Sequence, residues 1–153
     1  MQLIYISIKD QKLKLYENKR CIVAYPISSA KNGVGEREHS ECTPRGWHRI
    51  AEKIGGTVPE NTVFVGRVPT GEIYQPSLRE QFPERDWILT RILWLDGLES
   101  NNQNTKQRYI YIHGTPNDVS MGKPGSHGCI RMQNAAMIDL FDRVNEGVRV
   151  LIG

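Results

Sequence analysis

The opening of the chain alternates apolar and other side chains with a period of two and reverses direction twice within thirty residues. In "LIYISI", Ile4, Ile6 and Ile8 share one parity and Leu3, Tyr5 and Ser7 the other. "KDQ" turns the chain into "KLKLY", where Leu13 and Leu15 alternate with lysines, and "ENK" turns it again into "RCIVAYPIS". A period of two sends successive side chains to opposite faces, which suits a strand and defeats a helix. A meander of three short strands buries only one face, so the rest of the chain must supply its cover.

The same reading extends to "GWHRI", to "NTVFVGRVPTGEIYQ" as two strands around a turn at "VPTG", to "DWILTRILWL", to "RYIYIHG" and to the closing "VRVLI". In "RYIYIHG" the strand period places Tyr109, Tyr111 and His113 on one face. One segment departs from the pattern. From Asn134 onward, Met137, Leu140, Phe141 and Val144 follow the spacing of a helix face, with Asn134 as the expected N-cap and Gly147 as the expected terminator. Ser29 to Arg45 is polar and aperiodic, which fits either a solvated connection or a loop that closes over a substrate. With no repeat and no linker, residues 1–153 are expected to form a single mainly β domain, a sandwich or barrel-like core with one helix.

Charge narrows the function. The chain carries 20 Lys and Arg against 17 Asp and Glu, a net charge of +3, and no run concentrates it. A nucleic-acid partner would call for a basic stripe or aromatic platforms among basic residues, and neither is present. No window approaches the roughly 18 apolar residues of a membrane span. "MQLIYISIKDQKLKLYENK" lacks the basic leader, apolar core and cleavage site of a signal peptide, so the expected location is cytoplasmic if the chain is full length and periplasmic if a leader was trimmed. Three cysteines, an odd number, suit a reducing compartment better than a disulfide framework. Cys21, in "CIVAYPI", is expected to be a buried small apolar residue. Cys42 sits in a polar loop with nothing beside it that resembles a base.

Cys129 is different. It follows His127 and Gly128, stands just ahead of the helix, and lies downstream of His113 at the end of a strand. A thiol is mostly protonated near neutral pH, and an imidazole can take its proton. Gly128 removes a side chain where a carbonyl must approach, and the N–H groups of Gly128 and Cys129 are candidate oxyanion donors. The residue types leave two other readings open. His113, His127 and Cys129 are also metal-ligating types, although structural zinc usually takes four ligands in close pairs. Buried structural roles would equally fit a histidine and a cysteine.

"HGT", the fourteen-residue step from His113 to His127, and then "SHGCIRM" resemble the signature of the YkuD-type L,D-transpeptidase family. The likeness extends through the opening hairpins and "TPRGWHRI", Thr43 to Ile50, and is weaker from about Pro59 to Arg85. It implies a YkuD-like β-sandwich of mixed sheets with one helix after the cysteine loop. It also implies roles: Cys129 as nucleophile, His113 as general base oriented by the Gly114 carbonyl, and His127 shaping or polarising the pocket. Ser126 and Arg131 match motif positions, Arg131 being suited to a peptide carboxylate or to anchoring the loop, and Tyr111 is a candidate wall of the site. No metal and no other cofactor is required. The implied partner is a peptidoglycan stem tetrapeptide or muropeptide, whose terminal D-Ala leaves as a Cys129 thioester forms. Hydrolysis of that thioester would make the protein an L,D-carboxypeptidase of murein recycling, which the leaderless amino terminus favours. Attack by a second peptide's amine would make 3–3 crosslinks. A silent pocket would make it a wall-peptide binding module.

Overall fold

The computed structural model describes all 153 residues. In chain order the strands are β1 (Gln2–Ser7), β2 (Lys12–Glu17), β3 (Arg20–Pro26), β4 (Gly46–Ile54), β5 (Thr62–Val65) and β6 (Val68–Ile73). A short helix α1 (Pro76–Gln81) precedes β7 (Ile88–Gly97), β8 (Tyr111–Thr115) and β9 (Ile130–Gln133). Helix α2 (Asn134–Arg143) and β10 (Arg149–Ile152) complete the chain.

The meander forms as the alternation predicts, with β2 antiparallel to β1 and β3 antiparallel to β2. β10 then lies parallel to β1, β4 antiparallel to β10, and β7 antiparallel to β4. At β7 the sheet branches. One arm continues through β5 to β6, the other through β8 to β9, and β8 and β9 are parallel. Just beyond β3, Ser28 and Arg131 exchange both backbone hydrogen bonds at 2.9 Å, so the strand path curls until its edges meet. The fold is therefore a curled mixed sheet. Inside it, 19 buried side chains form the main core, among them Ile4, Ile6, Leu13 and Leu15 from the meander, Ile112, Ile130 and Met132 from β8 and β9, and Met137, Leu140 and Phe141 from α2.

Several expectations are corrected. Cys21 is exposed, because Ile22 is an extra residue of β3 opposite Leu15 and Tyr16, and the register shift pairs Cys21 with Tyr16 instead of continuing the inward row of Leu13 and Leu15. The turn between β5 and β6 falls at Gly66–Arg67, upstream of "VPTG", with both residues at positive φ. Gln133, not Asn134, occupies the N-cap of α2, and the helix ends at Arg143 with Val144 as C-cap, short of Gly147. Tyr109 lies outside the strand at φ 58°, so only Tyr111 and His113 share the β8 face. Helix α1 gave no signal because it buries no residue and so has no apolar period. No helix is long and apolar enough to cross a membrane.

Candidate active site

His113 sits in the middle of β8, whose five residues are all buried. Its Nδ1 lies 2.6 Å from the carbonyl oxygen of Gly114. A carbonyl can only accept, so Nδ1 carries the proton and Nε2 is left as the acceptor. Gly114 could be no other residue without movement, since a Cβ there would stand 2.6 Å from the Leu89 carbonyl oxygen on β7.

Cys129 ends the loop that enters β9. Its Sγ accepts a hydrogen bond from the Tyr111 N–H at 3.3 Å and donates to the Tyr109 carbonyl at 3.4 Å. No hydrogen bond joins Sγ to His113, but both residues line one cavity of about 500 Å³. Burial pushes the Cys129 thiol up to about 12, against the opposing pull of the Tyr111 N–H and Arg108. Burial likewise pushes the His113 imidazole below its ordinary value, opposed by Asp86 and the Gly114 carbonyl. Both shifts favour the neutral forms, so thiol and imidazole rest as a neutral pair.

The loop before Cys129 is held from several sides. The Ser126 hydroxyl donates to the Cys129 carbonyl at 2.5 Å and accepts from the Gly128 N–H at 3.2 Å. That occupies one of the two expected oxyanion donors and leaves the Cys129 N–H with no acceptor inside the protein. Gly128 has φ 131°, a conformation in which a side chain is strained, and a Cβ would lie 3.2 Å from Ile110. Thr43 donates its hydroxyl to the Gly128 carbonyl at 2.9 Å, and the Lys31 N–H donates to the Ser126 carbonyl at 2.9 Å. The segment Ser29–Arg45 thus braces the cysteine loop. Its middle, at Glu38, His39 and Glu41, borders a second recess of about 210 Å³ that shares Arg108, Tyr109, Ile110 and His127 with the first.

The other expected residues separate. His127 is exposed and lines both recesses. Tyr111 is buried in the cavity wall and accepts a hydrogen bond at 3.0 Å from Arg67. Arg131 does not line the Cys129 cavity. It lies beyond His127 in a recess of about 270 Å³, where its Nη2 donates to Ser28 Oγ at 2.8 Å while its buried Nε has no partner. The Ser28 bond makes Arg131 an anchor between the β9 edge and the loop. His113, His127 and Cys129 do not form a group that could hold a metal ion.

Three residues of the site carried no signal of their own in the sequence. Arg67, at the tip of the β5–β6 hairpin, lies 4.3 Å over Trp94 and 5.1 Å over Tyr109. Arg108 donates to the Cys42 carbonyl at 2.7 Å. Neither arginine has a carboxylate partner, and Asp86, the acidic residue of the cavity, has no ion pair. The three stand about twenty residues apart in the chain, and only the branching at β7 gathers them around one cavity.

A family model for the L,D-transpeptidase catalytic domain, YkuD, matches residues 1–152. The chain belongs to the YkuD family. A Bacillus licheniformis protein named as an L,D-transpeptidase, YkuD, is 32% identical over 149 residues, which are 97% of this chain and 64% of that relative. The chain thus spans somewhat less than two thirds of that relative's length. Among solved structures, an L,D-transpeptidase from Mycobacterium smegmatis superposes with a TM-score of 0.63 at 19% identity, covering 99% of this chain and 58% of the other. L,D-transpeptidase 3 from Mycobacterium tuberculosis, solved with a faropenem-derived adduct, gives 0.58 at 16% identity, covering 99% and 59%. At these identities the structural matches establish the mainly β YkuD-like fold.

Proposed function

We propose that this domain is a cysteine-dependent L,D-transpeptidase acting on peptidoglycan stem tetrapeptides. The observation that carries the reading is one cavity that holds both the Cys129 thiol and a His113 ring whose Nε2 is free to accept a proton. Cys129 Sγ attacks the carbonyl of the third residue, diaminopimelate, as its proton passes to Nε2 of His113. The Cys129 N–H has no internal partner, which supports its role as the oxyanion donor. Collapse breaks the bond to D-Ala, His113 returns the proton to the departing amine, and a thioester remains. His127 and Tyr111 shape the pocket, while Ser126, Gly128 and Arg131 hold the loop.

An amine of a second stem then attacks the thioester, its proton passing to His113 and back to the sulfur as the C–S bond breaks. Two features support an amine over water. The family relatives bear the name of transpeptidases, and a second recess adjoins the first across Arg108, Tyr109 and His127. Arg67 and Arg108, lacking carboxylates of their own, suit the acidic groups of a stem peptide, and Asp86 suits its free ammonium.

Incubation of the purified protein with L-Ala-γ-D-Glu-meso-diaminopimelyl-D-Ala, followed by mass spectrometry, tests this reading. The expected product is a dimer with loss of one D-Ala, absent with Cys129→Ala. Tripeptide with no dimer would replace transpeptidation by the L,D-carboxypeptidase activity, and unchanged turnover by Cys129→Ala would remove the thiol from the reaction. Peptide binding with no product from the wild type would leave a binding module.

A further inference from the structure

Opposite His113 and Gly114, strand β7 carries a defect. Leu89 pairs with Gly114 and Ile92 with His113, so Thr90 and Arg91 are extra residues bulged out of the ladder. Thr90 is fully buried with φ 76°, a conformation that a β-branched residue adopts only when its surroundings impose it. Its hydroxyl is enclosed in a ring of hydrogen bonds. Thr90 Oγ1 donates to Asn134 Oδ1 at 2.6 Å, Asn134 Nδ2 donates to Asn61 Oδ1 at 2.8 Å, and the Asn61 N–H donates back to Thr90 Oγ1 at 3.0 Å. Asn134 Nδ2 also reaches Asn117 Oδ1, past the end of β8, at 3.3 Å. The Asn134 side-chain oxygen packs against Gly114, on the side where a Cβ would be.

From these contacts we propose that the Thr90–Asn134–Asn61 ring is a positioning device for His113. It locks the β7 bulge against Gly114, aims the Gly114 carbonyl at Nδ1, and so keeps the imidazole in the tautomer that leaves Nε2 open to the cavity. The ring spans the start of α2, the bulge of β7 and the segment entering the hairpin that carries Arg67, so it also ties that hairpin to the base. Buried polar groups enclosed in a complete network fix one arrangement of the chain around them. The strain at Thr90 has a use on this view, which rests on His113 serving as the base of the reaction proposed above.

The test compares Thr90→Val, which keeps the shape and removes the hydroxyl, with Thr90→Ser, which keeps the hydroxyl. Asn61→Gly, which tolerates the positive φ of 70° and removes one side of the ring, guards against misfolding of the valine variant. Nitrogen-15 NMR of the His113 ring reads the tautomer on the protein alone, assigned with His113→Gln. The wild type and Thr90→Ser are expected to show a single Nδ1–H tautomer. Thr90→Val and Asn61→Gly are expected to show a mixture, with kcat lower by about tenfold to a hundredfold and KM within about twofold. A lower melting temperature with tautomer and kcat unchanged would overturn the proposal, reducing the ring to a structural brace. Turnover by Cys129→Ala would instead defeat the reaction scheme, while the NMR result would still decide whether the ring controls the imidazole.

Discussion

The resting state of Cys129 makes a quantitative prediction about its reactivity. With the thiol pushed up to about 12, its thiolate fraction at pH 7 is about 10⁻⁵. An unburied cysteine near 8.5 holds about 3% thiolate at that pH, roughly three thousand times more. The more basic thiolate is the better nucleophile, with a Brønsted slope near 0.45, which returns about fortyfold over this gap. Cys129 in the free protein should therefore react with iodoacetamide roughly a hundred times more slowly than a model cysteine at pH 7. The shape of the pH profile is the sharper test. The rate should climb about tenfold per pH unit from 7 to 10 with no plateau, because His113 is neutral and makes no hydrogen bond to Sγ at rest. Mass spectrometry of the Cys129 peptide separates its labelling from that of exposed Cys21. A plateau between pH 6 and 8, at a rate equal to the model thiol or above it, would mean a preformed thiolate–imidazolium pair and would refute the neutral-pair reasoning.

Three further outcomes follow from the packing. Gly114→Ala drives a Cβ to within 2.6 Å of the Leu89 carbonyl and should destabilise the fold by about 1–3 kcal/mol, read as a lower urea midpoint; an unchanged midpoint would show that β7 and β8 can separate freely there. Lys53 Nζ donates to the carbonyls of Phe141 (2.6 Å) and Val144 (2.7 Å) at the end of α2, so Lys53→Met should cost about 1–2 kcal/mol in the same assay, and no loss would mean that water replaces the lysine equally well. The Tyr25 hydroxyl donates to Asp139 at 2.5 Å and, with Arg143, holds that carboxyl below its usual range. A lowered carboxylate pKa contributes stability above the unfolded value that is lost as pH falls through the folded one. The stability gap between wild type and Tyr25→Phe should therefore narrow as pH drops below about 4, and a gap that widens there would contradict the assignment.

Much of this fold is legible in local periodicity, because the inward rows of β1 and β2 and the buried face of α2 are written into two-residue and three-to-four-residue spacings. What escaped depends on partners. Cys21 reads as core by local alternation, but a bulge at Ile22, the next residue in its own strand, turns it outward. The strand Ile130–Gln133 follows the cysteine so closely that the motif hid it, and its pairing with β8 is what brings Cys129 beside His113. Asn134 has the composition of a cap and instead closes a buried ring with residues 44 and 73 positions away. The site divides in the same way. Cys129, His113 and His127 stand in a recognisable motif, whereas Arg67, Asp86 and Arg108 are ordinary charged residues until the branch at β7 sets them around one cavity.

The central claim is that Cys129 carries the acyl group, and intact-protein mass spectrometry during incubation with stem tetrapeptide tests it most directly. The expected result is a transient species heavier by the tetrapeptide less D-Ala, mapped to the Cys129 peptide, released by hydroxylamine and absent from Cys129→Ala. Products that accumulate with no such species at any time, or an acyl group mapped to another residue, would contradict it.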